Sequence, residues 1–171
     1  MEFPGRRLLY GIVLASFMVP AQALVVPQFI LMNDLDLINR WGGIILSQLV
    51  VPVVIIVYKQ FFDAVPKEMR EAVTLDGGSD YTLLFRIYLP LNWGITTALG
   101  IITFIMSWNA FLWPFLVITT EDMMTIPVGI TQVNDAFGVA YARIMSVALL
   151  AAAPVVIAYL IFQKRVTEAV M

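Results

Sequence analysis

The sequence predicts an all-α membrane protein of about four transmembrane helices, with an amphipathic cytoplasmic helix between the second and the third. Three observations carry that prediction. Of 171 residues, 61% are hydrophobic and 13% charged, whereas soluble domains hold about 45–50% apolar and about 25% charged residues. Four runs carry no Asp, Glu, Lys or Arg: 8–32, 41–58, 87–120 and 144–163. A helix needs about 20 such residues to cross a bilayer. Leading into the third run is a charged, glycine-broken stretch, EAVTLDGGSDYTLLFRIYLP at 71–90.

The first two spans are 8–32 and 41–58. The third run is too long for one helix and too short for two with a turn. Its span is placed at 88–108, with apolar chain continuing along the outer surface, and the last span is 144–163. Pro20, Pro27, Pro52, Pro90, Pro114 and Pro154 fall in or beside these runs. Membrane helices tolerate proline where neighbouring groups satisfy the freed carbonyls, and a kink usually results. The outer loop before the last span covers 119–143. Orientation follows from the basic residues. With 59–86 on the cytoplasmic side, Arg6, Arg7, Lys59, Lys67, Arg70, Arg86, Lys164 and Arg165 all lie inside, and only Arg40 and Arg143 lie outside. That is a clear positive-inside pattern, with both termini cytoplasmic.

The chain has no cysteine and no histidine. Disulfides, thiol nucleophiles, Cys/His zinc sites and Ser–His–Asp triads are therefore excluded. Neither a catalytic residue nor a metal ligand is assigned. The uncharged run behind Arg7 is too long for the core of a signal peptide. No internal repeat or soluble linker interrupts 1–171, which reads as a single transmembrane domain.

Within 71–90 stand Glu71, Asp76, Asp80 and Arg86. Each charge costs roughly 2.5–3.5 kcal/mol at a bilayer centre, about 10 kcal/mol together, so the segment belongs in water or at the membrane surface. Both halves of 63–90 have helical periodicity. Val65, Met69, Ala72 and Val73 form one apolar stripe, opposite Lys67, Glu68, Arg70, Glu71 and Thr74. Pro66 suits a first helical turn, and Gly77–Gly78 stops the helix. Ser79 caps a second helix, Asp80 favours its start, and Tyr81, Leu84, Phe85, Tyr88 and Leu89 continue at helical spacing. Periodicity alone leaves two readings open: an interfacial loop that only connects two spans, or a docking element.

The spacing E-A-V-x-x-x-G-x₉-I-x-L-P, through Glu71, Ala72, Val73, Gly77, Ile87, Leu89 and Pro90, resembles the EAA signature of ATP-binding-cassette importer permeases. The family writes E-A-A, so Val73 is a departure that keeps the stripe apolar and tightens the packing under the corner. The resemblance implies a coupling helix that fits a cleft on an ATP-hydrolysing subunit, with Glu71 and Asp76 on the docking segment, Glu71 meeting a basic residue and Gly77 making the corner. The chain has no G-x-x-x-x-G-K-[ST] for phosphates. ATP and Mg are accordingly expected on a partner ATPase, and this chain is expected to bind no cofactor.

In the outer half, WNAFLWP at 108–114 reads either as an aromatic belt, with Trp108, Phe111 and Trp113 at the headgroups, or as a site around the polar Asn109. W-N-x-F-x-x-P followed by T-I-P-V-G at 125–129 resembles the carbohydrate branch of these permeases, which includes the smaller membrane subunit of the maltose transporter. That resemblance implies an outer loop reaching into a binding protein, with its tip near Gln132, Val133 and Asn134. Trp108 and Asn109 become candidates for the solute path. Gln48 is open to two roles, lining the path or bonding a neighbouring helix, and the second is favoured.

The implied protein is a sugar-importer permease subunit of the inner membrane. Its expected partners are a second permease, a dimer of ATP-binding subunits, an extracytoplasmic sugar-binding protein and membrane lipid, with no nucleic acid. Family members usually carry two more spans before the F-P-G-R found at 3–6, so an N-terminally truncated chain is expected. Competing readings are a permease for a non-sugar solute, a channel or ion-coupled transporter, and a membrane enzyme. The transporter would be favoured by a carboxylate pair inside a span, and none occurs in the four spans.

Overall fold

The order of elements follows the prolines. The computed structural model describes residues 3–133 and 141–170, with side chains described as far as 163. The chain runs α1 (Arg6–Met18), α2 (Ala21–Asp34), α3 (Trp41–Ile45), a 3₁₀ turn (Leu46–Gln48), α4 (Pro52–Asp63), α5 (Lys67–Leu75) and α6 (Asp80–Leu83). A π turn (Leu84–Tyr88) then leads into α7 (Leu89–Leu91), α8 (Trp93–Trp108), α9 (Leu112–Val117), α10 (Ile126–Ile130) and α11 (Tyr141–Val170). Among the described residues there is no strand.

Among the described residues, only Tyr141–Gln163 is by itself long and apolar enough to cross a membrane. Its 23 residues rise about 34 Å, enough for a hydrocarbon core of about 30 Å. The other three candidates are helix pairs that qualify only when joined, giving up to four spans if each pair counts as one. Each break has a local cause. Val19, before Pro20, is extended at φ −78°, ψ 124°, and Val51, before Pro52, at φ −106°, ψ 104°. Proline's Cδ disfavours the helical region for the residue before it. The 8–32 run is therefore two helices, and 41–58 is interrupted at 49–51. The third pair bends by 82° at Asn92, just past Pro90, so α8 begins at Trp93 rather than at 88.

The helices group into two compact units. One comprises Met1–Val19, Val51–Gly100 and Gln163–Met171. In it α1 packs on α4, and α5 on α6. Val65, Leu83, Ala98 and Leu99 are its buried apolar residues.

The other comprises Pro20–Val50 and Ile101–Phe162, with α9 against α2 and α3. Val117, Ile118, Val128 and Pro114 form its centre. The turn into α3 is held by Asn39, which takes the left-handed conformation at φ 55° that Asn tolerates better than most residues. Its Nδ2 donates to Thr119 Oγ1 at 2.7 Å, and its Oδ1 accepts from the Thr119 N–H at 2.6 Å. Trp113 Nε1 donates to the Gly43 carbonyl at 3.0 Å. Gly43 is obligatory there, since a Cβ would sit 2.3 Å from the Leu37 carbonyl oxygen.

Among the described residues no polar or charged residue is buried, while Leu8, Ile12 and Phe17 on α1 and Leu149, Ile157 and Ile161 on α11 are exposed. Large exposed apolar faces with so small a core are those of an all-α protein solvated by lipid.

Candidate functional site

The corner at 63–90 is built by two adjacent helix ends. α5 consists largely of strong helix formers, Lys-Glu-Met-Arg-Glu-Ala. Pro66 stands just ahead of it, in extended conformation at φ −54°, ψ 138°, one position earlier than a first-turn proline. The helix closes in a Schellman motif. The Gly77 N–H donates to the Thr74 carbonyl at 3.1 Å and the Gly78 N–H to the Val73 carbonyl at 2.8 Å. Gly77 has φ +71°, which side chains rarely adopt.

Gly78 is needed for a different reason. A Cβ there would lie 2.6 Å from Val73 Cγ1 and 2.9 Å from the Val73 carbonyl oxygen. The branched Val73 side chain thus fits under the corner because residue 78 has none. Ser79 then caps α6, its Oγ accepting from the Thr82 N–H at 3.3 Å, with Asp80 in the first turn. Past Leu83, the Leu89 N–H reaches the Leu84 carbonyl across a π turn. Pro90 has no N–H to offer the Arg86 carbonyl, which removes one α-helical bond at that point.

Glu71, Ala72, Asp76, Gly77 and Pro90 are exposed on this corner, and Val73, Ile87 and Leu89 are half-buried. Three large apolar side chains are also strongly exposed on it: Leu75 at 87%, Tyr81 at 74% and Phe85 at 62%. Sequence reasoning assigned docking to the charged face and missed these three. The available signal was Leu75 lying off the apolar stripe and Tyr81 and Phe85 standing four apart. Gly78 was missed as a distinct steric requirement, although the double glycine was visible.

The outer-half candidates do not converge. Trp108 stacks near Phe104, with ring centroids 5.6 Å apart, and its Nε1 donates to the Ala151 carbonyl on α11 at 3.0 Å. Asn109 Nδ2 turns back to the Ile105 carbonyl at 2.8 Å. Gln48 Oε1 accepts from Ser107 Oγ at 3.4 Å, so it bonds a neighbouring helix. Gln132 and Val133 instead line an open cavity of about 390 Å³, together with Glu121, Thr125, Ile126 and Val147. Thr125 Oγ1 is buried there without a hydrogen-bond partner among the described residues. Asn134 lies outside the described residues.

The family model described as "Binding-protein-dependent transport system inner membrane component" matches residues 1–169. The arabinooligosaccharides transport system permease protein AraQ of Halalkalibacterium halodurans is 33% identical over 163 residues, which cover 95% of this chain and 58% of that protein. The lactose transport system permease protein LacG of Rhizobium radiobacter is 29% identical, over 97% of this chain and 61% of its own length. The chain thus spans about three fifths of the length of these relatives. A crystal structure of a bacterial ABC transporter involved in the import of the acidic polysaccharide alginate has the same fold, at TM-score 0.83 and 23% identity, covering 95% of this chain and 62% of that one.

Proposed function

Because the chain belongs to the binding-protein-dependent transport system inner membrane component family, we propose that it is a permease subunit of an ATP-driven sugar importer, built into the plasma membrane with 59–86 and both termini on the cytoplasmic side. The sugar class rests on relatives named for arabinooligosaccharides and lactose. The observation that carries the mechanism is the corner. A Schellman stop and a serine cap back to back fix the ends of two helices, and Leu75, Tyr81 and Phe85 are exposed on the same segment as the charged Glu71 and Asp76. An apolar knob with an acidic flank suits a partner cleft that is apolar inside and basic at its rim.

In this reading the partner is one of two ATP-binding subunits, which hold ATP and Mg. Nucleotide-driven closure moves the corner as a rigid body, and the spans joined to it alternate in access. A second permease completes the path. An extracytoplasmic sugar-binding protein delivers solute at the outer half, where Gln132 and Val133 line the open cavity and Asn134 follows. Trp108 and Asn109, proposed for the solute path, are held by backbone carbonyls; a role in positioning α8 against α11 suits Trp108 better, and a role in closing the end of α8 suits Asn109.

The experiment is co-purification of the ATP-binding subunit with Glu71→Lys and Gly77→Trp variants of the full-length permease in its complex. Both are expected to lose at least tenfold in bound ATPase and in sugar uptake, since like charge and a blocked turn act on the docking face. Normal assembly and uptake in both would overturn the proposal.

A further inference from the structure

We propose that Asp63 is a positioning residue for coupling, one that locks α1 to the last turn of α4 so that motion of the corner reaches α1 without loss. The inference rests on the ATPase-docking reading above. Two pairs of residues, each spaced by four, face one another across the α1–α4 contact: Arg6 and Tyr10 on α1, Lys59 and Asp63 on α4. Arg6 Nη2 stands 3.9 Å from Asp63 Oδ1. Lys59 Nζ is paired with Asp63 Oδ2 and lies 4.8 Å from the centre of the Tyr10 ring. The contacts run in series across the two helices, from Arg6 to Asp63, from Asp63 to Lys59, and from Lys59 to the face of Tyr10.

Helix stability alone would not select this arrangement. Asp63 is the last residue of α4, where the helix dipole disfavours negative charge. Lysine ahead of the acid at i, i+4 is also the weaker order for a helical pair. The acid gains by holding Arg6 of the other helix as well as Lys59.

On its other side the same turn of α4 holds the corner. Phe62 contacts Tyr58 at 5.4 Å and Tyr88, in the π turn beyond α6, at 5.2 Å between ring centroids. The end of α4 is therefore a junction, with charge binding it to α1 and aromatic rings binding it to the segment behind the docking face. The EAA-like pattern begins at Glu71 and does not include any of these four residues.

The test uses the absence of cysteine in the chain. Ala15→Cys on α1 and Lys67→Cys at the start of α5 take spin labels, and the distance distribution between them is measured in nanodiscs and in the assembled complex, with and without ATP and vanadate. With Asp63 present the distribution is expected to be narrow and unchanged by nucleotide. Asp63→Asn is expected to broaden it at least twofold and to lower sugar uptake per ATP by about two- to fivefold, the range open to an exposed ion-pair network. Asp63→Glu is expected to restore both, and Arg6→Gln to show a smaller loss in the same direction.

An unchanged width and ratio in Asp63→Asn would overturn the inference, as would equal loss in Asp63→Glu. ATPase capture separates the two levels. Loss of capture in Glu71→Lys with no effect of Asp63→Asn overturns the brace alone. Capture and uptake retained in both Glu71→Lys and Gly77→Trp overturn the docking reading and the coupling role with it.

Discussion

Gly77 and Gly78 look alike in the sequence, yet they meet different constraints, and substitution separates them. At Gly77 nothing lies within 4 Å of a built Cβ, so Gly77→Ala meets only the left-handed backbone, at about 1–2 kcal/mol. At Gly78 the obstacle is Val73, and Gly78→Ala is expected to cost about 1–3 kcal/mol through overpacking. Adding Val73→Ala removes Cγ1 but leaves the carbonyl oxygen at 2.9 Å. The double variant should therefore cost less than the sum of the single ones by at least about 0.5 kcal/mol. Urea unfolding of the four proteins in micelles measures this, and strict additivity would mean that Val73 does not press on the corner. The helix stop and the Ser79 cap were readable at this scale because turn chemistry is local. The steric dependence of Gly78 on Val73 was not, because it depends on how tightly the last turn closes.

Among elements, the prolines announced kinks, and the structure turns three of the four runs into broken pairs at or just past Pro20, Pro52 and Pro90. What local pattern could not supply is the partner of each indole. Trp108 finds Ala151 across 43 residues and Trp113 finds Gly43 across 70. Periodicity reports which face of a helix is apolar, not which carbonyl lies opposite it. The Ala151 carbonyl is next to that of Leu150, whose intrahelical donor is missing at Pro154. A proline-opened turn on α11 is thus tied to the end of α8. Trp108→Phe keeps the ring beside Phe104 and removes the donor, and is expected to lower stability in micelles by about 1 kcal/mol. An unshifted unfolding midpoint would show that the indole bond contributes nothing.

For the whole molecule, composition, spans and the twenty-residue pattern at 71–90 pointed to the family that the comparisons bear out, and the all-α fold agrees with a solved ABC transporter at TM-score 0.83. Charge counting argued for a corner in water, but the exposed apolar side chains of the proposed docking face, Leu75 among them, emerged only from the structure. The claim that Leu75 and its neighbours enter an ATP-binding subunit is tested most directly by cross-linking. Leu75→Cys would be the single cysteine of its chain, as would Gln132→Cys on the proposed outer loop in a parallel control. With a short bifunctional thiol–amine reagent applied to membranes holding the assembled complex, Leu75→Cys is expected to give a covalent adduct with the ATP-binding subunit, and Gln132→Cys none. An adduct from Gln132→Cys with none from Leu75→Cys, or none from either in a complex that still imports sugar, would contradict the docking of this corner.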